Sequence, residues 1–461
     1  MAEKTKNLKI LTLVGSVFLG FVVSLGLSSY LLGWWSFPQK DFLCKDCNVI
    51  LISIDTLRQD HLGIYGYSRE TSPNIDRFFR DGAVFLNHIS QAPNTLPSHM
   101  SMLTGLYPQE HKVRILTDEP LSSSYQTMAE ILKKNGYTTV GLTTGSQHLD
   151  SKFGFNRGFD QYIPYGSKLE TTLEFLDQFA KEKKKFFLFL HPFNPHDPYV
   201  VPSSFSQKFV DPNYQGNIDS DPKNYAGLSF PEAHELFWAK VNQNDETDIK
   251  HLIDLYDAKI LKTDELLGEI FSKLEETGQL DKTIVVLTAD HGEEFLEHGH
   301  FRHVSLFDEV IKIPLLIRHP KLSGATKFNG LSQNVDLLPT ILDFLKLPSK
   351  EKFSGKSLTP AFRKPNETID QFAIAQGVQM TAVRTLEWKL LIEKGEGKKL
   401  FYLKTDPREK NNVIGKFPNV VGNLEKQFQS VPGEIQFKYE TPAFQDLDEK
   451  TREKLIKEGY F

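Results

Sequence analysis

The chain has 461 residues, of which 39% are hydrophobic and 25% are charged, and this composition is that of a folded globular protein rather than a disordered one. Its 54 Lys and Arg against 59 Asp and Glu leave a net charge of −5, which provides no basic surface of the kind that binds nucleic acid. The length is sufficient for two or three domains, one of which has room for a large enzyme core.

The N-terminus is predicted to anchor the protein in a membrane. Lys4, Lys6 and Lys9 precede an uncharged apolar stretch, and a spanning helix needs about 20 such residues. A cleaved signal peptide is the alternative, but the stretch is longer than a signal peptide's apolar region and no small-residue cleavage site follows it. We therefore expect a single-pass protein of the cell membrane whose remaining chain lies on the extracytoplasmic side, which is the periplasm in a bacterium. The predicted segments are a cytoplasmic N-terminus over 1–9, a transmembrane helix over 10–36 and a linker over 37–47.

Two cysteines, Cys44 and Cys47, follow the predicted membrane segment. A four-thiolate zinc site needs a second pair, which the sequence lacks. The Cys-x-x-Cys motif therefore indicates either a local disulfide or two idle thiols.

Three apolar runs are predicted to be buried strands, and each is followed by polar side chains. In open α/β sheets, functional groups gather outside the carboxyl ends of the strands, so we expect these side chains to share one crevice. The runs are 48–54, 185–190 and 283–288, and they are followed by Asp55-Thr56, His191 and Asp290-His291, respectively.

Helical periodicity alternates with these strands, over 125–135, 171–184 and 246–277. The pattern predicts a layered α/β domain with a mostly parallel central sheet. Residues 205–229 are rich in Pro, Gly, Asn and Asp and have little periodicity, which indicates a long surface loop that is either a substrate lid or a plain insertion.

The segment around Asp290-His291 is the strongest candidate for chemistry. A carboxylate and an imidazole at one strand end can both bend toward a single cation, although Asp and His are also common at strand ends for structural reasons. His298, His300 and His303 follow within 13 residues of this pair. Such a cluster is either a solvated loop or a source of metal ligands, proton donors and anion-binding groups.

One short segment contains Thr95, Pro97-Ser98, His99 and Thr104-Gly105. Its spacing resembles the signature of the sulfatase family, within the alkaline phosphatase superfamily, with two changes of identity. The resemblance covers nearly everything beyond Cys47. Further matching segments are 55–67, 72–76, Gly158-Phe-Asp160, 288–293, His298-Gly299, 335–340 and 400–412. The resemblance implies an alkaline-phosphatase-like catalytic domain over 48–348 and a smaller C-terminal α+β subdomain over 349–461, with a short antiparallel sheet and a packed helix.

The resemblance also implies roles for individual residues. One divalent cation is expected between the metal ligands, and the nucleophile is expected to attack the ester while His196 or His303 protonates the departing oxygen. His99 replaces the signature arginine, and Arg302 lies near the position of a family lysine. The implied metal ligands are Asp55, Thr56, Asp290 and His291; the implied catalytic residues are Thr95, His99, His196, Arg302 and His303; the implied substrate-binding residues are His148 and His298.

Thr95 at the nucleophile position changes the expected chemistry. Sulfatases convert a Cys or Ser there to formylglycine, but threonine cannot yield that aldehyde, so no formylglycine is expected. Water must then hydrolyse the covalent intermediate, and this requirement favours phosphoesters over sulfate esters as substrates. The resemblance implies Ca²⁺, whereas the imidazole of His291 suits Mn²⁺ or Zn²⁺.

Three function classes remain open from the sequence. The first is a membrane-anchored hydrolase of sulfate or phosphate esters. The second is a phosphoethanolamine- or phosphoglycerol-type transferase that acts on an envelope glycan or lipid. The third is a catalytically inactive binding protein that retains the fold.

Overall fold

The computed structural model describes residues 42–433 except 116–118, 146, 165–167, 323 and 365–366. The predicted anchor over 10–36, with its cytoplasmic flank and most of the linker, lies outside the described residues. Among the helices that are described, none combines the length and the apolar character needed to cross a bilayer. Cys44 and Cys47 are joined in a disulfide, which is one of the two outcomes that the sequence left open.

Eight strands form the central sheet, in the spatial order β10-β2-β9-β6-β1-β5-β3-β4. All neighbouring pairs are parallel except those made by β9, which runs against β2 and β6. The predicted mostly parallel sheet is therefore confirmed. The strands of the sheet are β1 (Asn48–Ile54), β2 (Ala83–Ile89), β3 (Thr138–Thr143), β4 (Gln161–Ile163), β5 (Phe186–His191), β6 (Thr283–Ala289), β9 (Lys312–Arg318) and β10 (Thr326–Gln333), and a small hairpin is formed by β7 (Glu294–Phe295) and β8 (Phe301–Arg302).

Strands β1, β5 and β6 are buried on both faces, as their continuous apolar sequences predict. They lie in register, because Ile52 of β1 pairs with Leu190 of β5 on one side and with Leu287 of β6 on the other. Parallel strands in register end at the same edge of the sheet. The polar residues that follow them, Asp55 and Asp290 among them, are brought to one place in this way.

Helices cover both faces of the sheet and enclose a hydrophobic core on each side. The long helix α8 buries one apolar face against the first core and carries polar residues on its other side. The helices are α1 (Pro73–Phe78), α2 (Thr95–Thr104), α3 (Pro108–His111), α4 (Met128–Lys134), α5 (Leu169–Glu182), α6 (Ser203–Ser206), α7 (Phe230–Trp238), α8 (Glu246–Glu276), α9 (Asp308–Ile311), α10 (Leu337–Leu345), α11 (Thr359–Arg363) and α12 (Pro418–Gln429).

The predicted loop over 205–229 is largely irregular, with the end of α6 and one 3-10 turn at Pro222–Tyr225. Helix α7 follows it directly. A capping box formed by Ser229 and Glu232 and a proline in the first turn of the helix fix where α7 begins.

The C-terminal part of the chain forms the antiparallel sheet and packed helix that the resemblance implied. Leu424 and Phe428 of α12 pack on Val383, Leu390 and Leu400 of this sheet. Its strands are β11 (Ala373–Gln376), β12 (Met380–Arg384), β13 (Trp388–Glu393) and β14 (Gly397–Tyr402), paired in chain order.

A buried charge cluster joins this small sheet to the part of the chain that forms the central sheet. The Lys389 ammonium is fully buried and lies 3.1 Å from Asp308 and 2.8 Å from Glu409. Arg384 pairs with the same Asp308 carboxylate at 2.9 Å. Because α9 begins at Asp308, the cluster ties the segment that follows His303 to the C-terminal sheet.

Candidate active site

A buried group of three potential metal ligands lies at the carboxyl edge of the central sheet. Asp55, Asp290 and His291 are fully buried, and one ligand atom from each lies within 4.8 Å of the others. The Nδ1 atom of His291 donates to the Gly292 carbonyl at 3.0 Å, so Nε2 presents its lone pair to the two carboxylates. That nitrogen lies 3.8 Å from Asp55 and 3.4 Å from Asp290.

The unpaired oxygens of this group fit a cation. Both carboxylate oxygens of Asp55, the Oδ2 of Asp290 and the hydroxyl of Thr56 are buried without a hydrogen-bond partner among the described residues. Burial, together with the charge of Asp55, raises the pKa of Asp290. Two carboxylates this close repel one another when both are ionised, and a divalent cation between them removes that cost.

Thr95 stands beside this group at the first position of α2. Its hydroxyl lies 3.4 Å from the Nε2 of His291. The Ser98 hydroxyl, one turn along the helix, donates to the backbone carbonyl of Asp290 at 2.7 Å. The start of the helix is thereby fastened to the strand end that carries the potential metal ligands.

Two further imidazoles lie behind the group, and their pKa values are shifted in opposite directions. His191 donates through Nδ1 to the Ser53 carbonyl, and its Nε2 lies 3.3 Å from Asp55; although burial opposes it, this contact raises the pKa of His191. His99 donates through Nδ1 to the Thr95 carbonyl at 2.9 Å. Burial and the charge of His191 hold the pKa of His99 well below its usual range, so His99 is neutral where the family signature has a charged arginine.

His303 and His196 lead outward from His291. The ring centroids of His291 and His303 are 4.4 Å apart, and those of His303 and His196 are 5.3 Å apart. Burial lowers the pKa of His196, but the charge of Asp197 outweighs it and raises that pKa to about 9. Burial and the neighbouring histidine charges lower the pKa of His303 instead. At neutral pH, His196 is therefore the protonated imidazole that can donate a proton.

One carboxylate organises the outer part of the site. Asp197 is buried and lies 2.9 Å from the Nδ1 of His196 and 3.0 Å from the Nε2 of His234. It also accepts a 2.6 Å hydrogen bond from the indole nitrogen of Trp238. The catalytic candidate His196 and the helix α7 are thus held by the same side chain.

A buried lysine supports the loop that carries His196. The Lys259 ammonium donates to the backbone carbonyl of His196 and, at 2.9 Å, to that of Pro198. Burial lowers the pKa of Lys259 to about 7. Its contacts are with the backbone, so Lys259 is a positioning residue rather than a proton donor.

The structure does not bring all the predicted site residues to the metal group. Arg302 lies on the outer rim, with its guanidinium 3.3 Å from His234 and 5.9 Å from the Trp238 ring centroid. His298 lies 3.3 Å from Glu309 and stacks on Phe307.

His148 is half-buried in a short 3-10 turn over Gln147–Leu149 that contacts α2. Its role in substrate binding, and that of His298, remain predictions.

The fold brings to the site three groups to which the sequence analysis gave no role: Asp197, Lys259 and Glu293. His191, which it placed in the shared crevice, lies 3.3 Å from Asp55. Asp197 adjoins His196 and Glu293 lies two residues after His291, and these positions are a signal that could have found them. Glu293 lies 3.4 Å from the Nδ1 of His303, and burial raises its pKa well above the usual range. Lys259 lies in the middle of a long helix, and its sequence context gives no such signal.

The layered sheet carries potential metal ligands at its carboxyl edge, and a hydroxyl and an imidazole lie beside them, which is an arrangement suited to ester hydrolysis. The family model described as Sulfatase matches residues 47–347, and the model described as N-sulphoglucosamine sulphohydrolase, C-terminal, matches residues 296–434. The chain belongs to the sulfatase family, and it is a hydrolase of sulfuric or phosphoric esters. The family uses a divalent metal ion.

Curated relatives and solved structures agree with this assignment. Arylsulfatase K of Xenopus laevis is 28% identical over 424 residues, which are 78% of this chain and 77% of that protein. The multifunctional alkaline phosphatase superfamily protein PehA of Trinickia caryophylli is 25% identical over 406 residues, which are 69% of this chain and 78% of that protein.

The phosphonate monoester hydrolase of Agrobacterium radiobacter has a TM-score of 0.66 at 20% identity, with 83% of this chain and 95% of that chain covered. A protein solved with its substrate D-glucosamine-2-N,6-O-disulfate has a TM-score of 0.69 at 21% identity, with 84% and 97% covered. These two structures show the shared fold.

Proposed function

We propose that the protein hydrolyses phosphate esters in preference to sulfate esters, with the unmodified hydroxyl of Thr95 as the nucleophile. The observation that carries the proposal is the position of that hydroxyl, 3.4 Å from His291 at the rim of a buried group of unpaired carboxylate oxygens. Asp55, Asp290 and His291 would hold a divalent cation. When bound, the cation would lower the pKa of the threonine hydroxyl and neutralise charge on the ester.

The chain's own residues supply the remaining steps. The Thr95 hydroxyl gives up its proton to solvent, and its Oγ1 atom forms a bond to phosphorus while the bond from phosphorus to the leaving oxygen breaks; His196 donates its proton to that oxygen. His196, now neutral, takes a proton from water as the water oxygen bonds to phosphorus and the bond between phosphorus and Thr95 breaks. The Thr95 oxygen takes up a proton from solvent, which restores the enzyme and releases phosphate.

The proposed preference for phosphate esters over sulfate esters follows from the unmodified threonine at the nucleophile position. A sulfate ester on an unmodified threonine cannot be expelled by collapse to a carbonyl, because threonine yields no aldehyde. Among the relatives, PehA is named as a multifunctional alkaline phosphatase superfamily protein and one structural neighbour is a phosphonate monoester hydrolase, which supports phosphorus chemistry on this scaffold. The imidazole ligand favours Mn²⁺ or Zn²⁺ over Ca²⁺.

Parallel assays test the proposal on protein loaded in turn with Mn²⁺, Zn²⁺ and Ca²⁺. We expect 4-nitrophenyl phosphate or bis(4-nitrophenyl) phosphate to be turned over with a higher kcat/KM than 4-nitrophenyl sulfate. Thr95→Ala should abolish turnover and leave bound metal unchanged, whereas Thr277→Ala, remote from the site, should behave as wild type. Turnover of the sulfate ester alone, or full activity of Thr95→Ala, contradicts the proposal.

Transfer to an acceptor and catalytically inactive binding are not favoured by the comparisons, since the named relatives include an arylsulfatase and a phosphonate monoester hydrolase. A transferase that acts on an envelope glycan or lipid would release the alcohol of the ester without an equal amount of phosphate. Measuring both products in the same assay therefore separates hydrolysis from transfer.

We also propose that the catalytic domain lies outside the cytoplasm, tethered by the apolar stretch over 10–36. The Cys44–Cys47 disulfide supports this location, because disulfides persist in oxidising compartments. Protease added to intact cells after permeabilising any outer membrane should cleave the domain. A domain protected until the cytoplasmic membrane is opened contradicts the proposed location.

A further inference from the structure

The aromatic side chains outside the metal group form a continuous path from the buried site to the surface. The His196 ring stacks on Phe193 with centroids 4.6 Å apart, and Phe230 lies 6.0 Å from His196. From Phe230 the path continues to His234 at 5.9 Å and to Trp238 at 6.1 Å. A ligand group that extends outward from His196 therefore meets these rings first.

Exposure rises along this path. Asp55, Asp290 and His291 are fully buried, and His303 and His196 are 3% and 9% exposed. Beyond them, five half-buried side chains form what we call the aromatic rim: Phe193, Phe230, His234, Trp238 and Arg302. The gradient marks the direction in which the alcohol portion of a bound ester points, because the ester group itself must reach the buried nucleophile.

The rim is built on a fixed support rather than on a loose loop. Asp197 holds His234 and the indole nitrogen of Trp238 with the same carboxylate that orients His196. Trp238 also packs against Phe301 of β8, with centroids 5.2 Å apart. Distances between the rim and the proton donor are therefore set by buried contacts, as a specificity site requires.

Arg302 brings a positive charge to this rim. Across the described ranges, no carboxylate lies within 4.0 Å of its guanidinium, whose polar neighbour is His234. Two buried carboxylates belong to the same part of the site. Asp197 is engaged by His196, His234 and Trp238. Glu293 lies beside His303, and burial raises its pKa well above the usual range against the effect of the Arg302 charge. A half-buried guanidinium beside aromatic faces suits an anionic group on a flat ring, since it can pair with the anion while the ring stacks.

We propose that the aromatic rim is a subsite for the alcohol portion of the ester, and that it selects a six-membered ring carrying a second acidic group. The inference rests on the proposed ester hydrolysis and names the class of substrate for it. An aryl ring and a pyranose both present a flat apolar face, so the shared chemistry is an acidic ring. Phe193 and Phe230 contact the ring face, and Arg302 pairs with the acid.

Binding of phosphonates tests the subsite without turnover, because their carbon–phosphorus bond replaces the ester link. The probes are methylphosphonate, phenylphosphonate, 3-carboxyphenylphosphonate and a uronic acid bearing a phosphonate at its anomeric carbon, each titrated calorimetrically into the full metal-loaded chain. We expect phenylphosphonate to bind ~5-fold more tightly than methylphosphonate. The carboxylate should add a further ~10-fold. The tighter of the two acidic probes identifies the ring as aryl or pyranose.

Two variants separate the two parts of the rim. Arg302→Gln should remove the gain from the carboxylate and keep the gain from the ring, whereas Phe230→Leu should reduce the gain from the ring and keep that from the carboxylate. Arg80→Gln, an exposed arginine far from the site, is the matched control and should change neither ratio.

The outcomes distinguish this inference from the proposed function. Equal affinity for all four phosphonates, or gains that survive both rim variants, overturns the subsite and leaves ester hydrolysis standing. Failure of every phosphonate to bind contradicts the proposed hydrolase and the subsite with it.

Discussion

Replacing Asp197 by Asn should move the activity of the enzyme to lower pH. The wild-type carboxylate lies 2.9 Å from the Nδ1 of His196 and is the chief influence that raises the pKa of this imidazole against the effect of burial. Raising that pKa from 6.5 to about 9 corresponds to ~3 kcal/mol of preference for the protonated ring. Without the charge of Asp197, burial opposes only the weaker influences of Asp55 and Glu293, and the pKa of His196 should fall toward 6.5.

The sign of the pH dependence follows from the role of His196 as proton donor. A donor works while it is protonated, so wild-type kcat/KM should hold at neutral pH and fall as the pH rises through about 9. In Asp197→Asn the same fall should occur ~2 pH units lower, since the largest influence that raises the pKa of His196 is removed. The effect should be larger for phenyl phosphate than for 4-nitrophenyl phosphate, whose better leaving group needs less protonation.

The assay is the pH dependence of kcat/KM for both esters, measured for the wild type, for Asp197→Asn and for Asp281→Asn. Asp281 is an exposed carboxylate remote from the site, and its variant should follow the wild-type profile. An unshifted profile in Asp197→Asn, or equal shifts in the two variants, refutes the assignment of His196 as the donor held by Asp197.

Further predictions concern stability and metal. Lys389→Met leaves the buried carboxylates of Asp308 and Glu409 without their ammonium partner, and urea unfolding should show a loss of ~3 kcal/mol or more in the free energy of unfolding, against little change for the exposed Lys404→Met. Removing metal with a chelator should lower both Tm and turnover, and adding back a divalent cation at 100 times its Kd should restore ~2.7 kcal/mol of stability. Asp290→Asn should abolish the gain in stability on adding the cation. A Tm that changes with neither chelator nor cation contradicts the metal site.

The parts of the fold that the sequence predicts are those where local pattern and burial agree. The run over 48–54 is apolar at every position but Asn48 and Ser53, and it forms β1 with the bounds that were predicted. Because β1 and β6 are parallel and in register, the residues that follow them meet, which is why Asp55 and Asp290 could be paired from sequence alone. The predicted helix over 246–277 likewise matches α8 to within one residue.

Side chains that depend on distant contacts could not be placed in the same way. His298 is close to His303 in sequence, but it lies in the turn of the β7–β8 hairpin, whereas His303 follows β8. His298 stacks on Phe307 instead. Lys259 reaches the site only because α8 packs beside the loop that carries His196, 63 residues earlier in the chain. Such relations are properties of the packed molecule, and no local pattern encodes them.

The most direct test is to trap the covalent intermediate. Metal-loaded protein mixed with excess phosphate ester is quenched in acid within the first turnover, digested and analysed by mass spectrometry. The account predicts a phosphoryl group on the peptide that contains Thr95, on an otherwise unmodified threonine, and its absence from Thr95→Ala. A carbonyl at residue 95, or a phosphoryl group on any other residue during turnover, contradicts it.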